Sequence, residues 1–341
     1  MSRIFDSELA ATVAAVVEEG AFDAAARRLR ITPSAVSQRV KLFEAQLGRV
    51  LLVRSRPVRP TEAGEAVLRL SRQVSLFEHD AAAALGLGGD DPDLRIRVSI
   101  AADADSLATW LLAPLTRAAI GRSFDVEVLR ADQSDTARLL ESGRVMAIVT
   151  SDPTPIGGCE LTWLGALRYE AVAAPDFVAR WFPDGVTPAA LERAPFVSFD
   201  RDDALQGDWL SRSGVEPFAA PRHYVPSSHD LMRAVEWGLG WAMVPAGQAV
   251  EARAGGRLVP LGGEPAYVPL HWQQWGLRST VLDDLCAEIT AAARSMLAQS
   301  GFNQSSVGSL VERVGSDPAG GADTERVERL PTATDADRSL G

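Results

Sequence analysis

Three hydrophobic rhythms follow one another along the chain, and the changes between them divide it. Over the first sixty residues the apolar positions fall at helical spacing, with Leu9, Val13, Val16 and Val17 on one face. Residues 21–44 then predict two short helices joined by a tight turn. The first is rich in small residues and ends at Leu29. The second opens with Thr32 as N-cap and Pro33 at the first helical position, where a missing N–H costs nothing. Val36, Val40, Phe43 and Leu47 recur along this second helix at helical spacing and should face a core. Residues 49–60 predict an apolar strand, an Arg-rich turn and a Pro-stopped return, which together form a wing.

The second rhythm begins at Thr61. Val67, Leu70, Val74, Phe77, Ala81 and Ala84 alternate spacings of three and four, the seam of a short coiled coil. A Gly-rich segment, Gly86-Leu87-Gly88-Gly89-Asp90-Asp91-Pro92, ends that helix and marks a hinge at 86–93.

From Arg95 the pattern becomes α/β. Ile96, Val98 and Ile100 alternate as a strand, a helix is expected over 105–119, and Phe124, Val126 and Val128 alternate again. Ser134 can cap a helix running to Ser142, and Val145 to Thr150 reads as a buried strand. Strand, helix, strand, helix, strand at this spacing argues a parallel, doubly wound sheet. Two strand-like runs follow between 159 and 174, then strands near 195–200 and 223–225. A helix is expected over 230–237, strands over 241–244 and 268–273, and a closing helix over 280–297. Beyond Gln299 large apolar residues thin out, so 301–341 is expected to be a disordered tail.

Charge changes this picture in one respect. The chain carries a net −11, yet residues 1–60 hold 10 Lys and Arg against 6 Asp and Glu. A basic head on an acidic body suits a DNA-binding module joined to a separate sensing module. The outward face of the second short helix supports this, since Ser34, Ser37, Gln38 and Lys41 fall together there without a carboxylate. Those four are the candidates for the DNA groove. Arg39, Arg54 and Arg56 are candidates for backbone phosphates, with Thr32 at the helix start. An ordinary amphipathic helix pair, its polar face merely wet, would carry the same pattern.

The other bulk features exclude more than they assert. No apolar run reaches the roughly 18 residues of a membrane span, and the charged N-terminus does not read as a secretory signal. The two cysteines, Cys159 and Cys286, lack a partner motif and read as reduced thiols of a cytoplasmic protein. The histidines, His79, His223, His229 and His271, form no H-E-x-x-H, and there is no nucleophile elbow or Walker loop. No catalytic residue, metal or cofactor is expected.

In open α/β sheets ligands sit beyond the carboxyl ends of strands, near helix N-termini. Here those positions hold Asp103, Asp105, Ser106 and Thr109 after the first body strand, and Thr150 and Asp152 after the third. Asp200, Asp202 and Asp203, with Ser227 and Ser228, follow later strands. Carboxylates in a cleft can hold an ammonium or guanidinium, and helix-start hydroxyls and N–H groups a carboxylate. Each residue could equally cap its own helix.

Several local motifs are family-like: Gly20-Ala21-Phe22, Ala24-Ala25, Thr32-Pro33-Ser34-Ala35-Val36-Ser37, the helix end from Glu44 to Gly48, and Pro60-Thr61-Glu62-Ala63-Gly64. On these the chain resembles a LysR-type transcriptional regulator over residues 3–297. The resemblance implies an α+β multidomain fold: a winged helix-turn-helix at 1–60, a linker and dimerisation helix at 61–85, and a two-lobed α/β effector-binding body at 94–300. The body would be like a type 2 periplasmic binding protein, with lobe I about 94–160 and 265–300 and lobe II about 161–264. Three body motifs, Ala104-Asp105-Ser106-Leu107-Ala108-Thr109-Trp110, Arg201-Asp202-Asp203-Ala204-Leu205-Gln206 and Val225-Pro226-Ser227-Ser228, are similar to a narrower subgroup. That subgroup senses lysine and arginine and controls a basic amino-acid exporter. The implied partners are a double-stranded DNA operator, L-lysine or L-arginine (histidine being a third cation to consider), RNA polymerase, and further copies of the chain as homodimer or homotetramer. No membrane is among them. Asp103 departs from the subgroup, which usually has Asn there; the extra carboxylate would sharpen a preference for cations or shift the ligand. The rival readings are the same architecture answering to another metabolite, and a solute-binding protein, which leaves the basic head unexplained.

Overall fold

The computed structural model describes residues 5–87, 95–120, 124–217 and 219–299, the side chains of 133 and 134 excepted. The expected tail at 301–341 and most of the expected hinge at 86–93 lie outside the described residues. The head comprises α1 (Ser7–Glu19), α2 (Phe22–Arg28) and α3 (Pro33–Leu47), followed by β1 (Leu52–Val53) paired antiparallel with β2 (Arg59–Pro60). Thr32 caps α3 by accepting the Ala35 N–H, and Val36, Val40 and Phe43 are buried as the spacing requires. Leu47 packs against the same core from a half-buried position.

Helix α4 (Glu62–Ala84) starts at Thr61, whose hydroxyl accepts the Gly64 N–H and donates to the Val50 carbonyl. Its positions 68, 72, 76 and 80 form one stripe at fourfold spacing. Leu68 belongs to the core of the head and Leu76 to the core of the body, both fully buried. Near the far end of the stripe the Thr280 hydroxyl donates to Asp80 at 2.5 Å. On the opposite side the heptad positions Leu70 and Phe77 are 38% and 48% exposed, while Val74 is half-buried and Val67 is taken into the core of the head, so within one protomer the seam is uncovered only in part.

The body contains β3 (Ile96–Ala102), α5 (Ala104–Thr109), α6 (Leu112–Ala119), β4 (Phe124–Arg130), α7 (Gln133–Glu141) and β5 (Ala147–Thr150). The helix expected over 105–119 is two helices. Pro114 would drive its ring into the carbonyl four residues back, at Trp110, and the chain breaks there. The N-cap position of α7 is Asp132 rather than Ser134, and no side-chain cap bond is made there. β3 pairs in parallel with β4 and with β5, as the alternation of strands and helices predicts.

The rest of the sheet is not parallel. The two runs expected between 159 and 174 form one strand, β6 (Cys159–Ala173), followed by α8 (Pro175–Trp181), α9 (Pro188–Leu191), β7 (Phe196–Ser198), α10 (Leu205–Arg212) and β8 (Arg222–Tyr224). Then come α11 (Ser228–Glu236), β9 (Ala242–Pro245), α12 (Ala246–Ala254), β10 (Val259–Pro260), β11 (Ala266–Trp275) and α13 (Thr280–Met296). β11 runs antiparallel to β6 along its whole length, with a register shift between Leu270 and His271. Beyond that shift it pairs antiparallel with β5, while the far half of β6 pairs with β9 and β10. The sheet order is therefore β10-β6-β11-β5-β3-β4 with β9 on the free side of β6. One mixed sheet serves both lobes, because β6 and β11 pass from one to the other. β7 and β8 make a separate parallel pair in the second lobe.

A close approach at Gly64 ties α4 to the wing. A Cβ there would stand 2.0 Å from the Leu51 carbonyl oxygen. Gly64→Ala should therefore destabilise the head by about 1–3 kcal/mol through overpacking. Denaturant unfolding should show the loss; an unchanged midpoint would mean that the wing yields without cost.

Candidate functional site

Two surfaces carry the chemistry. On the head, α3 presents Ser34, Gln38 and Lys41 exposed and Ser37 half-buried on one side, with Val36, Val40 and Phe43 buried on the other. Thr32 is occupied locally as the cap, and its hydroxyl lies 2.9 Å from that of Ser34. Arg39 sits apart from this group: its guanidinium pairs with Glu8 at 2.6 Å, so reaching a phosphate would require exchanging that exposed partner. Arg54 stacks over Phe22, 5.7 Å from the ring centroid, and Arg56 is exposed near the tip of the wing.

In the body the structure brings some of the expected residues together and leaves others on local duties. Asp103 caps α5 through Oδ1, which accepts the Ser106 N–H at 2.8 Å, while its Oδ2 is buried without a hydrogen-bond partner. Asp105 accepts the phenolic O–H of Tyr169 at 2.7 Å. Asp203, from the loop after β7, accepts the Phe199 and Leu205 N–H groups. Asp200 accepts the N–H groups of Asp202 and Asp203, both at 2.9 Å. Burial raises the carboxyl of Asp103 above its ordinary value, the neighbouring charge of Asp105 adds to this, and hydrogen bonds from Ser106 oppose it. Burial likewise raises Asp203, with Asp105 and Asp200 acting in the same direction. Tyr169 is held protonated well above the usual phenol range by burial and then by Asp105, Asp103 and Asp203. Carboxylates from the two lobes are thus electrostatically coupled around one buried tyrosine.

The remaining candidates stand differently. Thr109 donates its hydroxyl to the Asp105 carbonyl, Ser227 caps α11, and Ser228 is bonded to Gln248. Asp202 is exposed. Thr150 and Asp152 form a turn of their own at the end of β5, where Thr150 accepts the Asp152 N–H and Asp152 the Thr154 N–H.

Three residues were missed by reading the chain. Arg130, at the carboxyl end of β4, donates to the Pro226 carbonyl at 3.3 Å and stacks over Phe199, so it bridges the lobes. The strand-end argument that found Asp103 applies to it equally. Tyr169 lies within a strand and gives no sequence signal. His271 lies at the register shift of β11, opposite Thr150 and edge-on to Trp163, with Nδ1 buried and without a hydrogen-bond partner. Burial lowers its imidazole below the ordinary value, against opposing effects from the Thr150 backbone and Asp152. Among the described residues no group of three or more His, Cys, Asp or Glu is placed to hold a metal ion, and no helix is long and apolar enough to cross a membrane.

Comparison with known proteins matches both parts of the chain. Residues 8–65 match the bacterial regulatory helix-turn-helix protein, lysR family, and residues 89–277 match the LysR substrate binding domain. The chain is 41% identical over 291 residues to the HTH-type transcriptional regulator LysG of Mycobacterium tuberculosis, covering 85% of this chain and 94% of that protein. The crystal structure of ArgP from Mycobacterium tuberculosis is 39% identical with a TM-score of 0.73, over 87% of this chain and all of that one. Full-length LysG from Corynebacterium glutamicum, solved with bound effector Arg, is 32% identical with a TM-score of 0.64, over 86% of this chain and all of that one.

The roles expected of α3 and the wing yield a direct test. Gln38→Ala should relax base preference, whereas Arg56→Ala should weaken binding evenly across sequences and reduce the salt slope by about one. Equal losses on selected and random duplexes for Gln38→Ala would remove its base-reading role.

Proposed function

The chain belongs to the LysR family and is a DNA-binding transcriptional regulator; from that premise we propose that its effector is a cationic amino acid, L-lysine or L-arginine, and its target a basic amino-acid exporter gene. The convergence of carboxylates from both lobes on Tyr169 carries this reading. The charges that act on Asp103, Asp203 and Tyr169 are those of other carboxylates. A site built in this way is completed by a cation. Asp103 and Asp105 would face the ammonium or guanidinium from lobe I, and Asp200 and Asp203 from lobe II. Arg130, beside the start of α11, is placed to take the α-carboxylate. The bound Arg of the Corynebacterium relative supports the same ligand class.

The reading extends to assembly and response. The seam of α4, exposed at Leu70 and Phe77 with Val74 half-buried between them, would pair two copies and so present two heads to a two-half-site operator. An effector that touches both lobes favours the arrangement in which they close on it; equal affinity for both arrangements would switch nothing.

Calorimetric titration of the full chain with L-lysine, L-arginine, L-histidine and L-glutamate tests the ligand class. Saturable binding of cationic amino acids alone is expected; preference for glutamate, or no binding of any of the four, would overturn the assignment. The pH dependence has a definite sign. A cation favours the ionised carboxyls, so binding expels protons from Asp103 and Asp203. Affinity should therefore fall as pH is lowered into their raised titration range. Asp103→Asn keeps the cap oxygen but removes the charge. It should cost about tenfold in affinity, roughly 1.4 kcal/mol, and flatten that profile. An unchanged profile would place the linked protons elsewhere.

A further inference from the structure

Arg72, on α4, is the one strongly buried cation outside the cleft that this function leaves unused among the described residues; its side chain is 8% exposed. Its Nε and Nη2 donate to one oxygen of Glu18 at 3.2 and 2.9 Å, and its Nη1 donates to the Gly143 carbonyl at 2.8 Å and also to the Arg144 carbonyl. Glu18 lies on α1 of the head and is also paired with Arg28, from α2 of the helix-turn-helix. Gly143 and Arg144 belong to the turn between α7 and β5 of the body. A single guanidinium therefore joins head, linker helix and sensing lobe.

The fit around it is close on every side. Burial acts to raise the carboxyl of Glu18, but the charges and hydrogen bonds of Arg72 and Arg28 outweigh it and hold the group below its ordinary value. Gly143 adopts φ +73°, and a Cβ there would stand 2.8 Å from Cα of Arg69, one turn before Arg72 on α4. Arg69 in turn donates to the Glu141 carbonyl. The turn leads directly into β5, which is paired with β3 on one side and β11 on the other and ends at Thr150, beside His271. From Arg144 to Thr150 is six residues, the last four of them β5. The path from the far end of β5 to the tie is that short strand and the connection 144–146, which is itself pinned: the Val145 N–H donates to the Leu139 carbonyl, the Met146 N–H to that of Ser99, and the Met146 carbonyl accepts from the Trp275 N–H.

We propose that Arg72 is a positioning residue that couples the sensing body to the DNA-binding head, by binding the Glu18 carboxylate and the Gly143–Arg144 carbonyls at the same time. A shift of β5 moves the carbonyls against a guanidinium that α1 holds from the other side, and the head moves with it. The proposal rests on the regulator reading, and its first measurement does not depend on which effector is correct.

The experiment compares the wild-type chain with Arg72→Met and Arg72→Lys, using a duplex recovered by in vitro selection on the full chain. Hydrogen exchange of amides 141–147 in the body is measured with and without that duplex. Operator affinity is then measured with and without L-arginine. In the wild-type chain the duplex, bound at the head, should alter exchange in the 141–147 segment, and in Arg72→Met that response should vanish although the duplex still binds. Arg72→Lys keeps a charge for Glu18 but lacks the fork that reaches the carbonyls, so it should lose most of the response while folding more readily than Arg72→Met. The L-arginine effect on operator affinity should shrink from the roughly 5–150-fold of ordinary allosteric couplings to within about twofold of none. A wild-type chain whose 141–147 amides ignore the duplex would overturn the coupling, as would variants that are less stable yet respond undiminished. A duplex response lost in Arg72→Met, alongside indifference to L-arginine in the wild type, would support the coupling and remove only the effector.

Discussion

Helix α4 contributes Leu68 to the core of the head and Leu76 to the core of the body, two turns apart on one stripe, and the residue between them on that stripe is Arg72. A helix of 23 residues is about 35 Å long and behaves as a stiff rod, so neither core can rearrange around it without the other. A cation at the junction has to be desolvated, and it is stable there only because Glu18 and two backbone carbonyls answer all of its faces. Removing Glu18 would leave the Arg72 guanidinium buried without a counter-ion, at a cost of about 3–5 kcal/mol, whereas removing Arg72 leaves Glu18 its second partner, Arg28. That constraint fixes where the head sits on the body, and with it the direction in which α3 presents its polar face.

The body meets a second electrostatic constraint with the opposite solution. Around Tyr169 the carboxylates of Asp103, Asp105, Asp200 and Asp203 are satisfied in part by backbone N–H groups and in part by the Tyr169 hydroxyl, and Asp103 keeps a buried oxygen without a hydrogen bond. Near Arg72 the charges are neutralised by the protein itself; around Tyr169 like charges act on one another. A compensated buried charge specifies geometry, and an uncompensated one calls for a ligand. Between the two lies β5, paired on both sides and fully buried.

Much of this was legible in the chain. The head follows from local rules: Thr32 and Pro33 start α3, Gly48 ends it in the left-handed region, and the burial of Val36, Val40 and Phe43 follows from their spacing alone. The parallel trio β3, β4 and β5 also follows from alternation of strand and helix at short range. The break at Trp110 was missed by the expectation of one helix over 105–119, although Pro114 carries it locally, since a proline acts on the carbonyl four residues back whatever the tertiary context.

What the chain could not decide is which distant segments share a strand or a charge. β6 reads as two runs because its burial changes face where it passes between lobes, and only pairing with β11, nearly a hundred residues later, makes it one strand. Ser227 and Asp103 carry the same helix-start signal, yet Ser227 is spent on a local bond and Asp103 keeps an oxygen buried without a partner. Arg72 looks like any polar residue on an amphipathic helix until the fold closes Glu18 and Gly143 over it. Capping, periodicity and proline effects act within a few residues, so the sequence determined them by itself. Desolvation and charge pairing depend on everything within several ångströms in space, so only the tertiary structure could decide them.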